Sequence, residues 1–132
     1  MEKQNQPLIN PVVWFEIYVD DMQRAKSFYE EILQIKLNEM QDPTGGGVEM
    51  LAFPMGNERP NASGALVKMD GFKAGGNSTL VYFSSLDCAV EEARVVAAGG
   101  EVFQTKTSLG QMGNMCLCKD SEGNMFGIHS MQ

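Results

Sequence analysis

Three side chains with usable chemistry stand at alternate positions near the start of the chain: Trp14, Glu16 and Tyr18. In an extended segment alternate residues face the same way, so an indole, a carboxylate and a phenol would share one surface. A carboxylate set between Trp14-Phe15 and Ile17-Tyr18 is seldom buried without a partner. Glu16 is thus a candidate to hold a cationic or hydroxyl group of a ligand, or to act as a general base. A structural hydrogen bond is its plainer role. Trp14 would stack on a guest or fill a core. His129, the one histidine, suits acid–base work better than ligation, although its place near the C-terminus equally fits a structural or surface role.

Sulfur chemistry is less promising. Cys88, Cys116 and Cys118 are an odd count and read as thiols, not as a disulfide framework. Cys116 and Cys118 would share a strand face, and without further Cys or His nearby they read as packing residues. Ten methionines would fill irregular core gaps or soften a pocket wall.

Bulk properties narrow the classes. A net charge of −7 with no run of Lys or Arg argues against a nucleic-acid partner, which needs clustered cations. No apolar run is long enough to span a bilayer, and the polar start lacks the apolar stretch of a secretory signal, so the expected place is cytoplasmic. With 132 residues, 43% of them hydrophobic, the chain has material for one domain with a core.

The elements that must position these residues are written twice. Phe15-Glu-Ile-Tyr-Val-Asp-Asp-Met-Gln-Arg-Ala25 returns as Thr79-Leu-Val-Tyr-Phe-Ser-Ser-Leu-Asp-Cys-Ala89, with Tyr18 matching Tyr82, Met22 matching Leu86 and Ala25 matching Ala89 at one constant offset. Two copies of a supersecondary unit imply two modules about a pseudo-twofold axis, with a concave surface between them. The first copy reads as a strand over 12–19, a helix capped by Asp21 and running to Leu33, then strands over 37–40, 48–53 and 63–69. The second reads as a strand over 79–83 and a helix capped by Ser85. That helix carries Leu86, Ala89, Val90, Ala93, Val96 and Ala97 on its apolar stripe and ends at Gly99-Gly100. Strands over 101–103, 114–119 and 125–130 follow, the last two joined by the hairpin 120–124. The fold class is α+β, two βαβββ modules forming a mixed-sheet cup. Residues 1–10 read as a tail, and 11–131 as the domain: module one 11–70, a linker 71–77 and module two 78–131. Two glycines around Gln111-Met112 suggest a mobile flap over 107–113, with a plain connecting turn as the equal alternative.

The pattern Val19-x-Asp21 with Arg24-Ala25 and Phe28-Tyr29, together with Ala97-Ala-Gly-Gly-Glu-Val102 and Lys119-Asp-Ser-Glu-Gly-Asn124, resembles the vicinal-oxygen-chelate superfamily of glyoxalases, extradiol dioxygenases and bleomycin-resistance proteins. The resemblance covers roughly residues 11–131. It implies a divalent metal held in the cup by His, Glu or Gln from the first and last strands of each module. Carried over residue by residue, those positions fall on Trp14, Ala65, Ser78 and Gly127. None offers a suitable ligand, so no metal or other cofactor is expected. If the family register holds, Trp14, Glu16 and Tyr18, Ser78, Leu80 and Tyr82, and Gly127 and His129 point into the cup. Tyr18 and Tyr82, related by the repeat, would serve equally as symmetrical packing residues.

The expected function is metal-independent binding of a small organic molecule in the cup, with Trp14, Tyr18, Ala65, Ser78, Tyr82 and Gly127 as its walls. One alternative is a glyoxalase-like lyase or isomerase using Glu16 and His129 for proton transfer. Another is a non-catalytic accessory subunit with a filled cup. The resemblance further implies a homodimer, in which modules are sometimes exchanged between chains.

Overall fold

The computed structural model describes residues 8, 10–56 and 58–132, so the expected tail over 1–10 lies almost wholly outside the described residues. The first module runs β1 (Trp14–Tyr18), α1 (Met22–Leu33), β2 (Asn38–Met40), β3 (Glu49–Ala52) and β4 (Ser63–Lys68). The second runs β5 (Tyr82–Ser84), α2 (Cys88–Glu92), β6 (Glu101–Ser108), a 3-10 turn at Gly110–Met112, β7 (Asn114–Lys119) and β8 (Met125–Ser130). Each module folds its strands into one mixed sheet, ordered β1-β4-β3-β2 and β5-β8-β7-β6, with the first strand parallel to the last. This is the pair of βαβββ modules that the repeat requires. No described helix is long and apolar enough to cross a membrane.

Helix α1 forms because Met22, Ala25, Phe28, Tyr29 and Ile32 recur at three-to-four spacing and are all buried. The Asp21 carboxylate starts it by accepting from the Arg24 amide at 3.0 Å, and Gln34 ends it in a left-handed conformation. Tyr29 carries the helix into both modules. Its ring centroid lies 5.8 Å from that of Phe53 in the first, and 5.9 and 5.8 Å from those of Phe83 and Phe126 in the second. The main core is therefore continuous across the two copies.

The second module departs from its reading in three places. Asp87, not Ser85, caps α2, accepting from the Ala89 amide at 3.0 Å, while the Ser85 hydroxyl accepts from the Asp87 amide. The continuous helix is replaced by five residues of α-helix and a run of turns, and the side chains it buries are Cys88 and Val95. The stripe of Leu86, Val90 and Val96 is instead exposed, and the buried face is the one that carries Cys88 and Val95. Strand β5 is short because the Asn77 side chain donates to the Met125 carbonyl and accepts from the Met125 amide, taking the ladder partners that residues 79–81 would have used. Strand β6 is longer than expected and carries register irregularities between Val102 and Thr107.

A clasp from the second module fixes the first. In the hairpin between β7 and β8, Glu122 accepts from the amides of Asp20 and Asp21 and from Arg24 Nε at 2.6 Å. Asp120 accepts from the Tyr29 hydroxyl at 2.6 Å, and Asn124 donates to the Tyr18 carbonyl. Residues 71–77 contain neither helix nor ladder beyond a single Met69–Phe72 bridge, and the Gly75 amide is tied to Asn124 Oδ1.

Candidate functional site

Alternation along β1 does bring Trp14, Glu16 and Tyr18 to one face. Trp14 Nε1 donates to Glu16 Oε2 at 3.2 Å, and the Tyr18 hydroxyl donates to Glu16 Oε1 at 2.7 Å. Each carboxylate oxygen thus carries one neutral donor and keeps lone pairs toward solvent. Phe72 stacks on the Tyr18 ring with centroids 5.0 Å apart. The hydrogen bond to Glu16, helped by partial burial and by the carboxylate charge, pushes the Tyr18 phenol up to about 12. Tyr18 is accordingly a donor and no base at neutral pH.

This arrangement gives a first prediction. Glu16→Gln removes the charge and the strong acceptor, so Tyr18 should ionise nearer its ordinary value of 10. A spectrophotometric titration of the folded variant should show more phenolate than wild type at about pH 11. An unchanged titration would mean that the Tyr18–Glu16 bond is not made in solution.

Facing β1 is the stretch 76–84 of the second module, and between them lies a cleft of about 970 Å³. Trp14, Glu16 and Tyr18 line it from one side, and Ser78, Leu80 and Tyr82 from the other, although only Tyr82 of these three lies within β5. Phe15, Tyr29, Phe83 and Phe126 form its floor, and Lys73 stands at its edge. The volume is that of a small-molecule site, with aromatic faces on both sides and polar side chains such as Asn61, Lys73, Asn77 and Asn124 among them.

Ala65 and Gly127 act beneath the wall. Ala65 is fully buried beside Glu16 in the β1–β4 ladder, in a small cluster with Met50 and Val67 against which Trp14 and Tyr18 pack. Gly127 lies opposite Tyr82, and a Cβ there would stand 2.4 Å from the Tyr82 ring, so the missing side chain is what seats that ring. Tyr18 pairs with Val67 as Tyr82 pairs with Gly127, which makes Val67 the ladder counterpart of Gly127.

His129 does not line the cleft. Its Nε2 meets the Met112 carbonyl at 2.6 Å, and since a carbonyl only accepts, that nitrogen carries the proton. The same contact ties the segment 107–113 to β8. That segment touches neither this cleft nor the groove described next, so the expected flap has no place over them.

A second hollow, a groove of about 490 Å³, opens on the same face of the first sheet. Met40, Met50, Met69, Val48 and Val67 line it, and it shares Trp14 and Glu16 with the cleft. Its rim is set by Asp42, which accepts from the Thr44 hydroxyl at 2.7 Å and from the Thr44 and Val48 amides; the Thr44 bonds hold its carboxyl below the usual range. The abundance of methionine is the sequence signal for this wall, but nothing in the sequence gathers these three together.

A divalent metal does not fit the positions where the fold family would place its ligands. Trp14 offers an N–H already donated to Glu16, Ser78 a hydroxyl and Gly127 nothing, and the register moves the fourth position from the expected Ala65 to Val67, where either side chain is a hydrocarbon. Among the described residues no three His, Cys, Asp or Glu side chains converge as a metal site.

Comparison with known proteins agrees with this architecture. The family model described as Glyoxalase/Bleomycin resistance protein/Dioxygenase superfamily matches residues 11–128. No curated protein sequence matches. Among solved structures, an antibiotic binding protein from Streptomyces sp. CB03234 is 25% identical, with 95% of this chain and 98% of that chain covered at a TM-score of 0.64. A glyoxalase-related enzyme from Fulvimarina pelagi is 16% identical, covering 92% and 88% at 0.69. Glyoxalase I from Zea mays is 17% identical, covering 89% of this chain but 43% of the maize chain, at 0.70.

Proposed function

The chain belongs to the glyoxalase/bleomycin resistance protein/dioxygenase superfamily, and from that premise we propose that it binds a small organic molecule in the cleft between its modules without a catalytic metal. The observation that carries this reading is the convergence of Trp14, Glu16 and Tyr18 with Ser78, Leu80 and Tyr82 on one cleft of drug-like volume. The aromatic faces supply stacking area at low conformational cost, and the Glu16 carboxylate supplies a fixed acceptor for a donor or cation on the guest. The similar Streptomyces antibiotic binding protein supports a binding role over a catalytic one. Proton transfer between Glu16 and His129 is not favoured, because His129 stands outside the cleft and spends its Nε2 proton on Met112.

A cytoplasmic homodimer belongs to the same proposal. Its support is three buried free thiols and the uncovered apolar side chains of Leu86, Val90 and Val96.

The test is a titration of freshly purified protein with a panel of planar aromatic amines, read by calorimetry and native mass spectrometry, with and without EDTA. A one-to-one complex is expected with a Kd of about 1–100 μM, unaffected by EDTA and weakened at least about tenfold by Trp14→Ala. Binding abolished by chelation, or untouched by Trp14→Ala, would overturn the reading.

A further inference from the structure

The methionine-lined groove continues the cleft across the sheet. In the strand register Met40 faces Met50, Met50 faces Val67, and Val67 faces Tyr18, so one row of side chains crosses all four strands and ends on the phenol that holds Glu16. Trp14 and Glu16 line both hollows and stand at their junction. Thioether chains are flexible and polarisable, and they accommodate an apolar chain without demanding one shape. Glu16 forms no ion pair among the described residues, and aromatic rings flank it.

We propose that the ligand is two-armed: an aromatic part lies in the intermodule cleft, a cationic nitrogen sits at Glu16, and an apolar chain runs into the groove of Met40, Met50 and Met69. This rests on the cleft-binding reading and adds the ligand class to it. The carboxylate and the adjoining indole and phenol faces recognise the nitrogen by charge and by cation–π attraction. The overall charge of −7 favours the approach of a cation. The groove accounts for the choice of an alkyl chain over a second polar arm, because apart from the Asp42–Thr44 rim and Glu16 its walls are apolar.

The test uses benzyldimethylalkylammonium ions with ethyl or octyl chains, below the micelle concentration. Trp14, the one tryptophan, reports binding by fluorescence at the junction of the two hollows. In wild type the octyl ion should bind about 100-fold tighter than the ethyl ion, and Met69→Gln or Met40→Gln should each cut that ratio below about tenfold. The ratio is read within each variant, so a general loss of affinity or stability cancels.

A ratio near one in wild type, with the ethyl ion bound, overturns the two-armed ligand and leaves the cleft intact. An undiminished ratio in both variants overturns it equally. If sedimentation velocity shows Met69→Gln dissociating a dimer while the ratio persists, the groove belongs to a second copy of the chain. Failure of both ions to bind removes the cationic ligand class; a panel in which planar amines then also fail removes the cleft reading itself.

Discussion

Glu122→Ala is expected to cost about 3 kcal/mol of stability and to lower the melting temperature by roughly 10 °C, although Glu122 lies in a surface hairpin. Its carboxylate has no exposed side-chain surface and accepts from two backbone amides at the entry to α1 as well as from Arg24. Truncation leaves those amides and the guanidinium without their acceptor, and an unsatisfied buried donor costs more than the bond contributed. Arg24→Ala should be milder, because that side chain is 54% exposed and can be replaced by water. Urea unfolding of both variants checks the order, and equal or reversed costs would show that the amides do not depend on Glu122.

The clasp also has a pH signature. Burial alone would raise the Glu122 carboxyl, but Arg24 and the amides of Asp21 and Asp20 hold it below the ordinary 4.5. A lowered folded value means that its stabilisation is present above the unfolded value and is lost as pH falls through the folded one. The gap between wild type and Glu122→Gln should therefore be full at neutral pH and narrow as the medium is acidified below 4.5. Asp120 runs the other way. Burial, only partly offset by the Tyr29 hydroxyl, holds its carboxyl above the ordinary value, so its contribution is present below the unfolded value and fades as pH rises through the folded one. A gap that stayed constant from neutral to acid pH would place the Glu122 charge outside the clasp's energetics.

How much of this was legible in the sequence depended on how local each cause is. Helix α1 and strands β7 and β8 fall where the pattern places them, because their caps, apolar spacing and hairpin act within a few residues. The alternation of Trp14, Glu16 and Tyr18 was equally local, and their mutual hydrogen bonds follow from it. Strand β5 and helix α2 depart from the sequence pattern because their determinants are not periodic. One asparagine at position 77 occupies the ladder partners on Met125, and the helix starts from a carboxylate two residues beyond the first capping serine. The clasp and the groove could not be read at all. Glu122 meets Asp20 from the opposite end of the chain, and Met40, Met50 and Met69 meet only through sheet register. The repeat implies a cleft, whereas the second hollow arises only from the register of β2, β3 and β4.

The second large effect is expected from Gly64→Ala, and its contrast with Gly127→Ala separates scaffold from wall. Both glycines lie on the strand paired with a site strand, and a Cβ on either has no free space. At Gly64 the new carbon would stand 2.2 Å from the Phe15 carbonyl oxygen and 2.6 Å from its ring. A backbone oxygen cannot swing aside, and the ring is held against Phe53 and Phe83. Strand β1 must shift, taking Trp14 and Glu16 with it, so Gly64→Ala should cost about 3 kcal/mol and disrupt binding as well. At Gly127 the three nearest atoms all belong to the Tyr82 ring, and that residue is 47% exposed and free to turn toward solvent. Gly127→Ala should then cost only about 1 kcal/mol while moving one wall of the cleft. Urea unfolding followed by circular dichroism measures the first difference, and titration with the ethyl ammonium ion measures the second. If Gly127→Ala keeps wild-type affinity, Tyr82 is not part of the binding wall. If it destabilises as much as Gly64→Ala, Tyr82 is a pinned core residue, and the wall of the cleft must be drawn from Ser78 and Leu80 instead.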